Sequence, residues 1–293
     1  MVSRCHKFVW LEAEFNEMTN FWDSMSAERY LEHRYEGGSR IQFPLPDEGF
    51  AAKWDEWLEN RPGNGFPEAV REIMTDGSVK AWLEETPAGR IPVAYMEDRR
   101  AFERLTALLS AEDDSRPLPA SVNAFMVPVK LPELKGHMVI CMNRAGYSAL
   151  AGDDVGVPED EWLEKSAAVR LNHECCHYFT LRVLGGMKNH ALDEVVADCV
   201  GQLAAFGRYD ASLQRKFFGL TEDGIKPGGR LGYYVKKLSD GAAKVVCDSV
   251  VRAIDALDRC LAANAGLTAK SGRPELIIKL ATLGLPGIGE LSA

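Results

Sequence analysis

At 293 residues, 46% apolar and 26% charged, the chain has the composition of a soluble globular protein able to bury one substantial core or two modest ones. A formal charge of −9 excludes a general affinity for nucleic acid or anionic lipid, because no basic surface offsets phosphate charge. No stretch approaches the roughly 20 apolar residues of a membrane span, Met1–His6 does not open an apolar leader, and the seven cysteines are irregularly spaced, which together point to the cytoplasm.

Residues 1–88 are expected to form a helical, aromatic-rich N-terminal subdomain. They carry Trp10, Trp22, Trp54, Trp57 and Trp82; Ser26 is placed to cap a helix that stops at Gly37-Gly38, and Arg61-Pro62-Gly63-Asn64-Gly65 separates two further helical stretches. Residues 89–293 form the expected second domain, which opens with three short runs of β-branched and other apolar residues at 91–96, 122–129 and 137–142, read as strands, and a helix at 99–109. Pro128 puts the second strand at a sheet edge, since proline has no N–H to give a ladder.

From Pro158 onward the apolar spacing is helical, at about 160–184, 190–206, 210–218, 241–264 and 273–283. Val246, Val250, Ile254, Leu257 and Leu261 make one stripe, and Asn264-Ala265-Gly266 stops that helix. The expected class is therefore α+β, mostly helical, with a small β-sheet preceding the helix at 160–184.

That helix carries His173-Glu174-Cys175-Cys176-His177. Residues four apart project from one face about a turn apart, so the two imidazoles can hold one metal, and Glu174 stands beside them as a proton acceptor for metal-activated water. Gly185-Gly186 and a cap at Asn189 join this helix to the next by a short turn, so the two are expected to run antiparallel. At about 1.5 Å per residue, His177 lies about 10 Å before the turn and Glu194 about 8 Å after it, while His173 and Asp198 lie about 17 and 14 Å away. Glu194 thus falls at the level of His177 as third ligand, and Asp198 at the level of His173. Asp193, about 100° away around the helix, reads as surface charge.

These residues resemble the active-site helices of the gluzincin, thermolysin-like zinc metallopeptidases, over about residues 169–202, with sixteen residues between His177 and Glu194. The resemblance implies a zincin-like catalytic domain, zinc held by His173, His177 and Glu194, Glu174 as general base, Asp198 orienting His173 from behind, and a peptide or protein as substrate. His190, one turn before Glu194, is a candidate contact for substrate or a developing oxyanion. Tyr178, Arg230, Tyr233, Tyr234 and His137 are donors by chemical type. The competing reading is a non-enzymatic, degenerate metal-binding regulatory module, which needs no open coordination position and no use of Glu174. A di-iron site needs a second E-x-x-H unit, which the sequence lacks.

Overall fold

The computed structural model describes residues 26–37, 42–60, 66–75, 77, 79–111, 118, 122–188 and 190–292. In chain order the first described elements are α1 (Ala27–Leu31), α2 (Ala51–Asn60), α3 (Glu68–Thr75), β1 (Val79–Thr86), β2 (Gly89–Met96), α4 (Arg99–Leu109), β3 (Ala124–Pro128), β4 (Met138–Asn143), α5 (Gly152–Val155) and α6 (Glu159–Leu184). They are followed by α7 (Ala191–Phe206), α8 (Ala211–Phe218), β5 (Leu220–Thr221), β6 (Gly224–Ile225), α9 (Arg230–Val235), α10 (Asp240–Ala263), α11 (Ala265–Thr268) and α12 (Arg273–Gly289). The class is α+β and mostly helical. Expectations resting on Trp10, Trp22, Gly38, Asn189 and residues 61–65 lie outside the described residues. Ser26 does cap α1, accepting the Arg29 N–H at 3.3 Å, but the helix ends at Leu31.

The chain divides into two compact units, one made by the described residues of 39–183 and the other by those of 1–38 and 184–293. The boundary expected after residue 88 falls instead inside the β1–β2 hairpin, where Thr86 pairs with Gly89. Residues 79–86, read as the end of a helical region, are a strand. Their composition suits either state, and cross-strand pairing with the mostly buried β2 decides it. Gly89 closes the turn at φ 93°, where a side chain would also strike Arg182 and the Pro46 carbonyl.

In the sheet-bearing unit the strand order is β1-β2-β4-β3, with β2 and β4 parallel and the other neighbours antiparallel. β3 is an edge strand, as Pro128 requires. Helices α2, α3 and α4 pack on the sheet around a core that includes Trp54, Trp57, Phe66, Phe102 and Val139. α6 runs 26 residues without Gly or Pro, opens on Glu159, Asp160 and Glu161 at its positive end, and stops where Gly185 adopts φ 74°.

In the helical unit, α7 packs against α10 and α12 and is buried at every position from Ala191 to Leu203. A helix buried all round must give each of its charged residues a partner, which makes Asp193, Glu194 and Asp198 the positions to account for. α12 continues past its expected end at 283 by kinking at Gly284, whose φ of 69° is left-handed, before Pro286. Among the described residues no helix is long and apolar enough to cross a membrane.

Candidate metal centre

In the sheet-bearing unit, α6 presents His173, Glu174 and His177 on its buried side, at 6%, 8% and 6% exposure. The two rings meet nearly edge to face at 84°, with their Nε2 atoms 3.0 Å apart. Two nitrogens that share one zinc at about 2.0–2.1 Å in a tetrahedral arrangement are about 3.3 Å apart, so the pair is close to ligand geometry. Facing nitrogens at this separation require a proton or a cation between them. Cys176 is buried, and burial, helped by Glu84 and Glu174, pushes the Cys175 thiol well above its ordinary range, so Cys175 offers no ready thiolate.

The outer nitrogen of His173 has a partner the sequence reading missed: its Nδ1 lies 2.9 Å from the Tyr147 hydroxyl. Tyr147 sits in a 3₁₀ turn, Tyr147–Ala149, between β4 and α6. Three buried side chains of α6 hold that loop. Trp162 Nε1 donates to the Leu150 carbonyl at 2.7 Å, Ser166 Oγ accepts the Tyr147 N–H at 2.9 Å, and Arg170 donates to the carbonyls of Asn143, Ala145 and Gly146 at 3.4, 3.1 and 3.2 Å. The Arg170 guanidinium also lies over the Tyr147 ring, 5.6 Å from its centroid. Burial pushes Arg170 down to about 10, against the pull of Tyr147 and Glu174, and it stays charged at neutral pH.

This loop is strained. Ser148 and Ala149 have φ 53° and 56°, a conformation that costs an L-residue roughly 1–2 kcal/mol each. A side chain at Gly146 would run into the Leu150 carbonyl and the Trp162 ring. Strain of this kind persists only where the surroundings over-determine it. The one sequence signal for the arrangement is Arg170 itself, a cation on the same helix face three residues before His173.

In the helical unit two carboxylates of α7, Glu194 and Asp198, are engaged by side chains of α9. Glu194, 8% exposed, accepts from the Tyr234 hydroxyl, and Asp198 Oδ2 accepts from Arg230 and, at 2.7 Å, from Gln214 Nε2. Residues 194 and 198 are four apart, as are 230 and 234, so one face of each helix meets the other in antiparallel register. The relay continues outward, Gln202 Nε2 donating to Gln214 Oε1 at 2.9 Å and Gln202 Oε1 accepting the Asp210 N–H at 3.0 Å. Loss of hydration, with the Glu194 charge, holds the Tyr234 phenol well above its usual range. Tyr147 lies at His173 Nδ1, the position the sequence reading gave to Asp198, and Asp198 Oδ2 accepts from Arg230 and Gln214.

His190 is fully buried and caps α7: its Nδ1 accepts the Leu192 N–H at 3.0 Å, so its Nε2 carries the proton and donates to the Tyr30 carbonyl, also at 3.0 Å. Its ring stacks on Tyr30, centroids 3.9 Å apart. Both of its nitrogens are thus engaged, and with His33 and Asp193 it forms a second group whose ligand atoms lie close enough together for a metal. Asp193, expected at the surface, is buried and accepts from the Tyr35 hydroxyl, with His33 Nε2 at 3.7 Å.

The chain belongs to the family of unknown function DUF7005. The match to DUF7005 spans residues 129–291, which takes in the Tyr147 loop, α6, α7 and α9. No curated protein and no solved structure is significantly similar to the chain.

The remaining donors of this DUF7005 chain are placed as follows. Tyr178 donates to Glu48 at 2.8 Å, and Tyr233 is 50% exposed, with Lys236 near its ring. His137 Nδ1 accepts from Trp54 Nε1 at 3.2 Å, and burial, helped by Lys53, pushes the ring down to about 4. His190 is held well below its ordinary value of 6.5 by burial and then by His33. Both rings are neutral when folded, whereas the unfolded chain takes up protons near pH 6.5, so it binds more protons and stability falls as pH drops from about 6.5 toward 4. The urea midpoint is therefore expected to be lower at pH 5 than at pH 7, with a smaller difference in His137→Gln; a midpoint that does not move would contradict both assignments.

Proposed function

We propose that the chain is a zinc-dependent hydrolase of peptide bonds, a cytoplasmic metallopeptidase of zincin-like fold, in which His173, His177 and Glu194 hold the metal. The observation that carries the reading is the His173–His177 pair: two buried imidazoles on one helix, Nε2 atoms 3.0 Å apart, with Glu174 between them in sequence. The donor set fits zinc, which takes two neutral imidazoles and a carboxylate at catalytic sites and keeps a fourth position open. The six free cysteines among the described residues suit a reducing compartment.

Bound zinc supplies Lewis acidity, polarising a carbonyl and lowering the pKa of water toward about 7. The protein supplies the rest. Glu174 accepts the proton of the attacking water and returns it to the leaving amine. Tyr234 holds the Glu194 carboxylate at one oxygen, and the Arg230–Asp198 pair next to it fixes the face of α7 from which Glu194 projects. Burial of the histidines and of α7 keeps competing water away from these groups.

Purified protein is expected to carry close to one zinc per chain by elemental analysis and to cleave an unfolded protein such as casein. Treatment with 1,10-phenanthroline should abolish cleavage, and added zinc should restore it. Zinc uptake with no cleavage of unfolded proteins or mixed peptides would favour the regulatory module instead.

A further inference from the structure

We propose that Tyr147 is the positioning residue of the metal centre, accepting the Nδ1–H of His173 and so leaving Nε2 to face the metal; this rests on the zinc reading given above. The two atoms are 2.9 Å apart at a buried site, within reach for one strong hydrogen bond. A neutral imidazole protonates one nitrogen and offers the lone pair of the other, so whatever accepts at Nδ1 selects Nε2 as the ligand atom.

The surroundings are built around this one hydroxyl. Trp162, Ser166 and Arg170 lie on the same buried side of α6 as His173, and each holds the loop through a hydrogen bond. The helix that carries the ligand therefore also carries the support for the ligand's outer partner, so the two move as one body. The left-handed backbone at Ser148 and Ala149 and the side-chain-free contact at Gly146 bring the chain close enough to α6 for Tyr147 to reach His173. Outer partners of ligating histidines are commonly carboxylates, backbone carbonyls or water. A neutral phenol draws less proton density from Nδ1 than a carboxylate does and leaves the imidazole a weaker donor.

Tyr147→Phe in the full chain removes the hydroxyl and keeps the ring under Arg170. Zinc affinity, measured by competition with a chromophoric chelator, is expected to fall about 10–100-fold. The metal-free protein should lose no more thermal stability than one buried hydrogen bond contributes. In zinc-loaded wild type, long-range proton–nitrogen NMR should show His173 protonated at Nδ1 with a downfield proton, and in Tyr147→Phe that proton should move upfield or exchange away. Wild-type zinc affinity in Tyr147→Phe, or a His173 protonated at Nε2 in the loaded wild type, would overturn the role of Tyr147 while leaving the zinc site standing. If wild type takes up no zinc, or if His173→Ala and His177→Ala bind it as well as wild type does, the zinc reading fails and this role with it.

Discussion

Exchanging Glu174 for Gln is expected to leave zinc bound at the wild-type level and to slow peptide hydrolysis by about 10²–10⁴-fold, the range a positioned general base contributes. Glutamine has the shape of glutamate, so the packing of α6 around a position only 8% exposed should survive. It cannot accept a proton. Arg170, which feels the Glu174 charge, stays fixed by its three carbonyl partners, so the Tyr147 loop should not shift either. The loss corresponds to about 3–5 kcal/mol of barrier and should fall on kcat with KM little changed, because the proton is moved only in the reacting complex. An unchanged rate would remove Glu174 from the chemistry.

The second large effect separates three acidic residues on one buried helix. Glu194→Ala should weaken zinc binding by more than the roughly 10–100-fold typical of an outer partner, since it deletes a ligand. Asp198→Ala should act mainly on stability: it leaves the half-buried Arg230 and the buried Gln214 without their shared acceptor, at a cost below the about 3–5 kcal/mol of breaking a fully buried pair. Asp193→Ala removes the acceptor of the Tyr35 hydroxyl and should also destabilise, without moving the zinc affinity. Chelator competition and denaturant midpoints on the three variants read the two quantities independently. Equal zinc affinity in all three would overturn the ligand assignment.

Much of the fold is legible because its signals are local. α4 spans the expected 99–109, and α6, α7, α8 and α10 begin and end within about a residue of the helical periodicity, since Gly185, Gly207 and Gly219 end three of them in left-handed caps. The strand at 79–86 is hidden because Lys80-Ala81-Trp82-Leu83-Glu84-Glu85 carries as much helix preference as strand preference; the Thr86-Pro87-Ala88-Gly89 turn was the available clue. The His173–Glu174–His177 constellation is readable from spacing alone. What spacing does not carry is the identity of partners across elements. Tyr147 lies 26 residues from His173 and reaches it through a strained loop, which no periodicity announces. Asp193 read as surface charge because a helix bearing three acids looks half solvated, whereas the folded helix is enclosed and each acid is matched by a donor from α1's flank, α8 or α9. For His190, the partner that spacing cannot show is Tyr30, whose carbonyl and ring engage it.

Trp162, Ser166, Arg170, His173 and His177 are spaced four, four, three and four residues apart on α6, with Tyr147 nineteen residues before Ser166. The histidine pair, its partner Tyr147 and the three side chains that hold the Tyr147 loop are thus written in one contiguous stretch of 31 residues, 147–177. Such a stretch can be inherited, transplanted or searched for as a unit. A string of Gly-Tyr, then Trp-x3-Ser-x3-Arg-x2-His-Glu-x2-His at these intervals is far more selective than the five-residue motif at its end.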